Sequence, residues 1–583
     1  MTRIHGDPDA FVADALRGFA RAHEGEVSLV DGGVVRAHPL ESGKVAVLIG
    51  GGSGHYPAFA GYVGTGMAAG AVCGNVFTSP STAQALRVAH AADAGGGVLF
   101  TYGRYAGDVI HFGEAERRLR DEGIDARTVL ITDDVASAAV DDAGERRGIA
   151  GIVCVFHIAG AAAERGDPID EVERLAALAN SRTRSHGVAF AGCTLPGADH
   201  ALFEVPQGHM SIGLGIHGEP GVRDVPLQSA PELAVTLAEP LLRERPAGAH
   251  RAAVIVNGLG AVKYEELFVL FGFVLEHLEA QGIEIVEPLC GEFVTSLDMA
   301  GVSLTVLWLD EELEELWRAP AFSPALRKGA SAVLPGEGRS AADDRAALPT
   351  AEAPAEAAST APPATPASLR AAAVARRLLV STRDVIATHA ERLGELDAIA
   401  GDGDHGIGML RGVTAAVEAA ESTDPATGVR ELLQRAGDAW SERAGGTSGA
   451  LWGAAVAQIG ASLGSPDAIS AADVARSVTA ARTRVAELGG AQPGDKTMLD
   501  AIVPFDVTLS AQVRAGRGLP SALRAAAEAA RAGADATAPM TPRRGRARPL
   551  AERSAGHPDP GAVSFSLMVA EIARCADTSR EGR

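Results

Sequence analysis

Aromatic side chains are scarce: Phe, Trp and Tyr together make up 4% of the 583 residues. A core built on large rings is thereby excluded, and the abundant alanine and glycine point to closely packed helices and backbone-lined pockets. Cysteine is sparse too. Cys73, Cys154, Cys193, Cys290 and Cys575 form no CxxC pair and no metal-ligand spacing. That argues against a disulfide framework or a cysteine-held metal, and for buried thiols in a reducing compartment. Basic residues are outnumbered, 52 Lys and Arg against 74 Asp and Glu, for a net charge of −22. Nucleic acid is not expected as a partner, because phosphate backbones are held by clustered Lys and Arg. The N-terminal MTRIHGDPDAFVADALRG lacks an apolar core of signal-peptide length and carries early acids. Residues 45–86 contain no charged Asp, Glu, Lys or Arg, yet glycines and two prolines interrupt them. No helix of about 20 residues runs through such a stretch, so no membrane span is expected. The expectation is a cytoplasmic protein.

What is present divides the chain. A length of 583 residues exceeds one core. Residues 335–368, PGEGRSAADDRAALPTAEAPAEAASTAPPATPAS, are rich in Ala, Pro, Glu, Ser and Thr and show no apolar periodicity. Such a composition reads as a flexible linker. Before it, residues 1–334 alternate short apolar runs (KVAVLIGGGSG, GGVLFTYG, ARTVLITDD, AAVIVNGLG, VSLTVLWLD) with helical patterns at 81–92 and 164–180. An α/β domain of two sheet-based lobes is expected there. After it, residues 369–583 carry almost no strand signal, and helical runs alternate with Gly-rich junctions. An all-α domain is expected, with functional residues on the junctions at one end.

The junctions carry the chemistry of the second part. In ELDAIAGDGDHGIGM, Asp397, Asp402 and Asp404 crowd into one loop. Three carboxylates there repel unless a cation neutralises them, and oxygen ligands suit Mg²⁺ or Ca²⁺. An EF-hand fails, because its twelfth position is Val413 where a bidentate Glu is needed. A solvated acidic turn is the plainer alternative. The following HGIG, His405 to Gly408, opens a helix whose amides suit phosphate. GGTSGALWG offers Thr447 and Ser448 at a second helix start. GGAQPGDKTMLDA, with Gly489 and Met498, and GHPDPGAVSF could wall a base and ribose. Arg543, Arg544, Arg546 and Arg548 form either a solvated loop or a group that neutralises charge during transfer. Together these features suggest a nucleotide–magnesium site.

In the first part, GGGSGH (50–55) follows a strand but lacks the residues of a P-loop or a dinucleotide fingerprint. It presents His55 at a strand end, where the backbone amides of Gly52 and Ser53 can hold a small hydroxylated ligand. TYGRYAGDVIHFG brings Gly103 and Asp108 from a second strand end, and SIGLGIHGEPGVRD sets His217 among glycines. A lone histidine is more often structural. Two imidazoles and one carboxylate, however, suit acid/base work on hydroxyls, and charge-free walls fit a neutral polyol.

GGGSGH, SPS (79–81), YAGD and GIHGEPG, followed by ELDAIAGDGDHG, GGTSGALWG, GDKTMLDA and GHPDPGA, resemble in that order the dihydroxyacetone kinase family. The resemblance covers nearly the whole chain. It implies an N-terminal ketose-binding domain and a C-terminal nucleotide-binding barrel of antiparallel helices, with ATP as phosphoryl donor. It implies that His217 attacks the substrate carbonyl and holds the ketose as a hemiaminal, with His55 and Asp108 as the acid/base pair and Gly52 to His55 lining the substrate. Asp397, Asp402 and Asp404 would hold two magnesium ions. His405, Gly406, Ile407, Gly408, Thr447, Ser448, Gly489, Met498, Arg546, Asp559, Pro560 and Gly561 match nucleotide-binding positions. A homodimer with crossed domain pairing is also implied.

The chain departs from the family's usual pattern at GHYPAF (54–59) for GHEPAH, GRYAGD (103–108) for KNYTGD, and GNVF (74–77) for GDVF. Gly103 therefore lacks the lysine that family members place by the substrate. Such a change shifts substrate choice, and the expectation is a four-carbon ketose such as erythrulose, with dihydroxyacetone close behind. The alternatives are a non-catalytic ketose-sensing co-regulator and an added flavin-nucleotide cyclase activity on FAD.

Overall fold

Two short strands, β1 (Val27–Val30) and β2 (Gly33–Arg36), open a six-stranded sheet completed by β3 (Ala46–Ser53), β4 (Gly70–Val76), β5 (Val98–Gly103) and β6 (Ala126–Ile131). The computed structural model describes residues 4–219, 221–329, 364–399, 403–464, 468–543 and 551–581. The order across the sheet is β1-β2-β4-β3-β5-β6, and β4, β3, β5 and β6 run parallel. Side chains alternate along β3: Val47 and Ile49 face one core, Ala46 and Leu48 the other. From β3 the chain moves to β4 on one side and returns to β5 on the other. The carboxyl ends of β3 and β5 therefore flank the crevice where the winding direction reverses, which is where open α/β sheets bind ligands.

A second sheet of seven strands comprises β7 (Thr183–Ala191), β8 (His209–Ile212), β9 (Arg223–Pro226), β10 (Arg251–Gly258), β11 (Glu284–Ile285), β12 (Leu289–Gly291) and β13 (Ala300–Trp308). Its order is β11-β10-β13-β7-β8-β9, with β12 also on β10. Helices Ile152–Arg165 and Ile169–Arg182 share one core with both sheets: Val153, Phe156 and Leu175 cluster with Ile49 and Leu99 and with Ile255 and Leu307. The pattern at 164–180 straddles the break between these helices. Gly166 ends the first in the left-handed region (φ 95°), and the second begins after Pro168.

The chain divides into two units, Met1–Leu334 and Pro335–Arg583. In the second, eight long helices among the described residues, from Pro366–Asp397 to Pro560–Glu581, each pack on the next, and the last packs on the first. They form a closed ring. Up-and-down winding brings the end of helix Pro366–Asp397, Gly445, residues 490–498 and the start of helix Pro560–Glu581 to one end. Most of residues 335–368 lie outside the described residues, but 366–368 already belong to a helix. Thr365 caps it by accepting from Ser368 N, and Pro366 fills the first turn. No helix among the described residues is long and apolar enough to cross a membrane.

Candidate active site

β3 delivers His55 and β5 delivers Gly103 to the same crevice. Between them lies a cleft of about 340 Å³, counted to its open mouth, lined by Gly50, Gly51, Gly52, His55, Phe59, Gly103, Tyr105, Asp108, Gly148, Ile152, Ile216, His217 and Val294. Its only ionisable groups besides Tyr105 are the two imidazoles and one carboxyl. Ser53 and Gly54, expected to line the substrate, are not among the lining residues. The Ser53 hydroxyl donates to Gly74 O at 2.7 Å, and Gly54 makes the turn with φ 104°.

His55 is buried, with Nδ1 2.8 Å from Thr295 O and Nε2 3.0 Å from His217 Nε2. Burial, helped by the neighbouring His217, pushes its pKa down to about 3. His217 comes from the loop between β8 and β9. Three rings surround it edge-on: Tyr105 at 4.6 Å, His55 at 4.7 Å and Phe77 at 5.3 Å between centroids. Behind it, Glu219 Oε1 lies 3.0 Å from Nδ1 and Oε2 accepts the His217 backbone N–H at 3.0 Å. Burial opposes ionisation of Glu219, yet the charge and hydrogen bond of His217 and the charge of Arg147 hold its carboxyl well below the usual range.

Asp108 stands in the first turn of helix Ala106–Asp121. Burial pushes its pKa up to about 7, against the Ser79 hydroxyl and the charge of His217, and its Oδ1 has no hydrogen-bond partner. A buried carboxyl that titrates near neutrality, with an oxygen aimed at no protein group, can take a proton from a bound hydroxyl. Gly103 permits a close approach. A Cβ there would lie 3.1 Å from the Tyr105 ring and 3.2 Å from Gly148 O, and a Cβ on Gly148 would lie 2.5 Å from Gly103 Cα. The space that a longer residue 103 would fill is thus partly taken by Tyr105 and Gly148.

At the junction end of the helical unit, Asp397 closes helix Pro366–Asp397 and Asp404 precedes helix His405–Ser422. Asp397 Oδ2 accepts from Gly403 N at 2.9 Å. Burial and then the like charge of Asp397 raise the Asp404 pKa. Asp559 accepts from Ala562 N at the start of the last helix, and burial followed by Asp500 pushes its pKa up to about 7. Asp397 and Asp404, close enough for the charge of the first to raise the pKa of the second, are an oxygen donor pair for a hard divalent cation, so these residues fit Mg²⁺. No group of three potential metal ligands occurs among the described residues; Asp402 and Arg546 lie outside them.

His405 Nε2 meets Ser564 Oγ at 3.0 Å, tying the starts of two helices. Thr447 and Ser448 are exposed at the start of helix Gly446–Leu463, and Ile407 is exposed in the first turn of helix His405–Ser422. Met498 packs by Gly561, with Pro560 beginning the last helix, and Gly489 lies by Leu451. Gly406 has a packing reason of its own, since a Cβ there would lie 1.9 Å from Ala390 O. Gly408 faces Ala444 O. The sequence reading did not single out Glu219, Arg147, Tyr105, Phe77 or the remaining cleft walls. The one signal for Glu219 was an acid two residues beyond a histidine in a glycine loop.

Residues 17–325 match the Dak1 domain and residues 399–574 the DAK2 domain. The chain is 50% identical to L-erythrulose kinase of Pectobacterium atrosepticum, over 98% of this chain and 95% of that one. It is 51% identical to D-erythrulose kinase of Mycolicibacterium smegmatis over the whole of both. Among solved structures, the dihydroxyacetone kinase from C. freundii in complex with AMP-PNP and Mg²⁺ superposes with a TM-score of 0.52 at 29% identity, covering 98% of this chain and 99% of that one. Two family domains in order and full-length relatives at half identity place the chain: it belongs to the dihydroxyacetone kinase family.

Proposed function

We propose that this chain, an ATP-dependent kinase of short-chain ketoses, acts on erythrulose, holding it as a covalent hemiaminal on His217 while a primary hydroxyl is phosphorylated. The observation that carries this reading is the cleft itself. A histidine with its Nε2 turned to a second imidazole stands with a buried carboxyl among uncharged walls. A neutral imidazole nitrogen adds to a carbonyl carbon. Once bonded it keeps no proton on that nitrogen, so the adduct cannot lose water to an imine and stays reversible. Glycerol, with no carbonyl, is not trapped. Asp108 then takes the proton of the attacking hydroxyl. Relatives named for the two enantiomers lie at 50% and 51% identity, which supports erythrulose without choosing its hand.

In the helical unit, Asp397, Asp402 and Asp404 would hold two Mg²⁺ ions. Bound there, they would neutralise charge on the ATP phosphates during transfer. His405 to Gly408, Thr447, Ser448 and Arg546 would hold the phosphates, and Gly489, Met498 and Asp559 to Gly561 the nucleoside. Two copies would act as a homodimer with crossed pairing of the units.

The test is ADP release across three- and four-carbon ketoses. Erythrulose should be the better substrate, and His217→Ala should abolish ketose turnover while ATP binding survives. A marked preference for dihydroxyacetone refutes the four-carbon assignment. At a Mg²⁺ level too low for Asp404→Asn alone to turn over, mixing it with His217→Ala chains should restore activity if the pairing is crossed between copies and the two sites are separable.

A further inference from the structure

The contact between the two imidazoles raises a question of proton count. A carbonyl oxygen only accepts, so the 2.8 Å contact with Thr295 O requires a proton on His55 Nδ1. The Glu219 carboxylate, which only accepts, makes the same demand of His217 Nδ1 at 3.0 Å. Each neutral ring would then carry its single proton on Nδ1. Two Nε2 lone pairs would face each other at 3.0 Å, which is repulsive. One added proton between them turns the repulsion into a charge-assisted hydrogen bond.

We propose that His55 and His217 share one proton between their Nε2 atoms, and that Glu219 is the positioning residue that supplies its counter-charge and fixes the His217 Nδ1 proton. Arg147 anchors Glu219 from the next layer. Its Nη1 lies 3.7 Å from Glu219 Oε2, while Nη2 and Nε donate to Asp134 at 2.7 and 3.1 Å. The other titratable groups facing the pair are the Tyr105 phenol, which burial keeps neutral, and Asp108, whose pKa burial pushes up to about 7. Burial disfavours charge on His55, so the proton rests nearer His217.

This arrangement deepens the ketose-trapping reading and rests on it for its role in catalysis. As the ketose enters, the shared proton passes to His55 Nε2. The freed lone pair of His217 Nε2 forms the bond to the carbonyl carbon, and the C=O π pair moves to oxygen. That oxygen takes the proton from His55 Nε2. The products are a hydroxyl on a tetrahedral carbon, a neutral His55, and an N-substituted His217 ring that keeps its Nδ1–H and its positive charge beside Glu219. The ring–carboxylate pair is neutral overall before and after, so no net charge is created inside the buried site. Glu219 thereby favours the adduct without touching the ketose.

Nitrogen-15 NMR of histidine-labelled, ligand-free protein tests the arrangement without any ketose. The expected spectrum shows both Nδ1 atoms protonated and one strongly deshielded proton coupled to both Nε2 atoms. Glu219→Gln keeps the shape and an acceptor but removes the charge. It should release the shared proton at least one pH unit lower, and should cut the fraction of [2-¹³C]erythrulose held as adduct by about 10-fold or more, since hydrogen bonds to charged groups contribute at that level. An unprotonated His217 Nδ1, no shared proton in the native protein, or unchanged titration in E219Q would overturn the proposal. The native spectrum carries the test even where the variant does not fold. A shared proton in a protein that turns over no ketose supports this arrangement and sinks only the functional reading.

Discussion

Asp108→Asn separates the chemistry of the cleft from its stability. The folded chain keeps the Asp108 proton up to about pH 7, whereas the ordinary carboxyl releases it at 3.8. Between these values the unfolded chain binds fewer protons than the folded one, so stability falls as pH rises. At ~1.4 kcal/mol per pH unit, the penalty is ~2 kcal/mol at pH 5 and complete, at ~4 kcal/mol, above pH 7. Asparagine cannot ionise and escapes it. With an unfolding entropy of ~0.7 kcal/mol/K for about 330 residues, the stability advantage of the variant should grow by roughly 4 °C between pH 5 and pH 8. Calorimetry of the first unit's transition in both proteins at both pH values measures this directly. The same substitution removes the proton acceptor, so kcat should fall by about 10²–10⁴. A Tm difference that does not change with pH, or a variant less stable than the native protein at pH 8, would refute the reasoning.

Other substitutions bear on the rest of the account. Gly103→Lys puts a Cβ 3.1 Å from the Tyr105 ring and should displace that ring from His217. Steady-state kinetics should show kcat/KM falling further for erythrulose than for dihydroxyacetone. Lys496→Met leaves Met540 O and Ser554 O without the buried ammonium that now binds them at 3.0 and 2.7 Å; each stranded acceptor costs about 1–3 kcal/mol, so the helical unit should melt several degrees earlier by circular dichroism. Asp404→Asn removes one of two mutually repelling carboxylates, and titration of activity with Mg²⁺ should show a requirement raised by about tenfold or more while ketose adduct formation is unchanged.

The central strands were legible because each is a short apolar run ending in glycine or aspartate, and β3, β5, β6, β10 and β13 fall on those runs. Helix Ile152–Arg165 was not, for a physical reason. Its residues from Ile152 to Ala163 are all buried between two sheets, so no polar face marks its period. The four-residue strands β8 and β9 that carry the His217 loop are too short to show alternation. His55, Asp108 and His217 could be named because glycine loops isolate them in the sequence. Arg147 could not, since its link to Glu219 joins residues far apart in the chain. Gly406 serves two readings at once: a glycine after an acidic loop reads as a phosphate cradle, and its missing side chain also lets one helix press on the carbonyl of another.

The central claim is that His217 Nε2 bonds to the ketose carbonyl carbon. Carbon-13 NMR of [2-¹³C]erythrulose with the full-length protein, without ATP, tests it most directly. The account predicts that the bound C2 resonance leaves the carbonyl region for that of a tetrahedral carbon bearing nitrogen and oxygen, and that His217→Ala abolishes this species. A bound resonance that stays in the carbonyl region would contradict it.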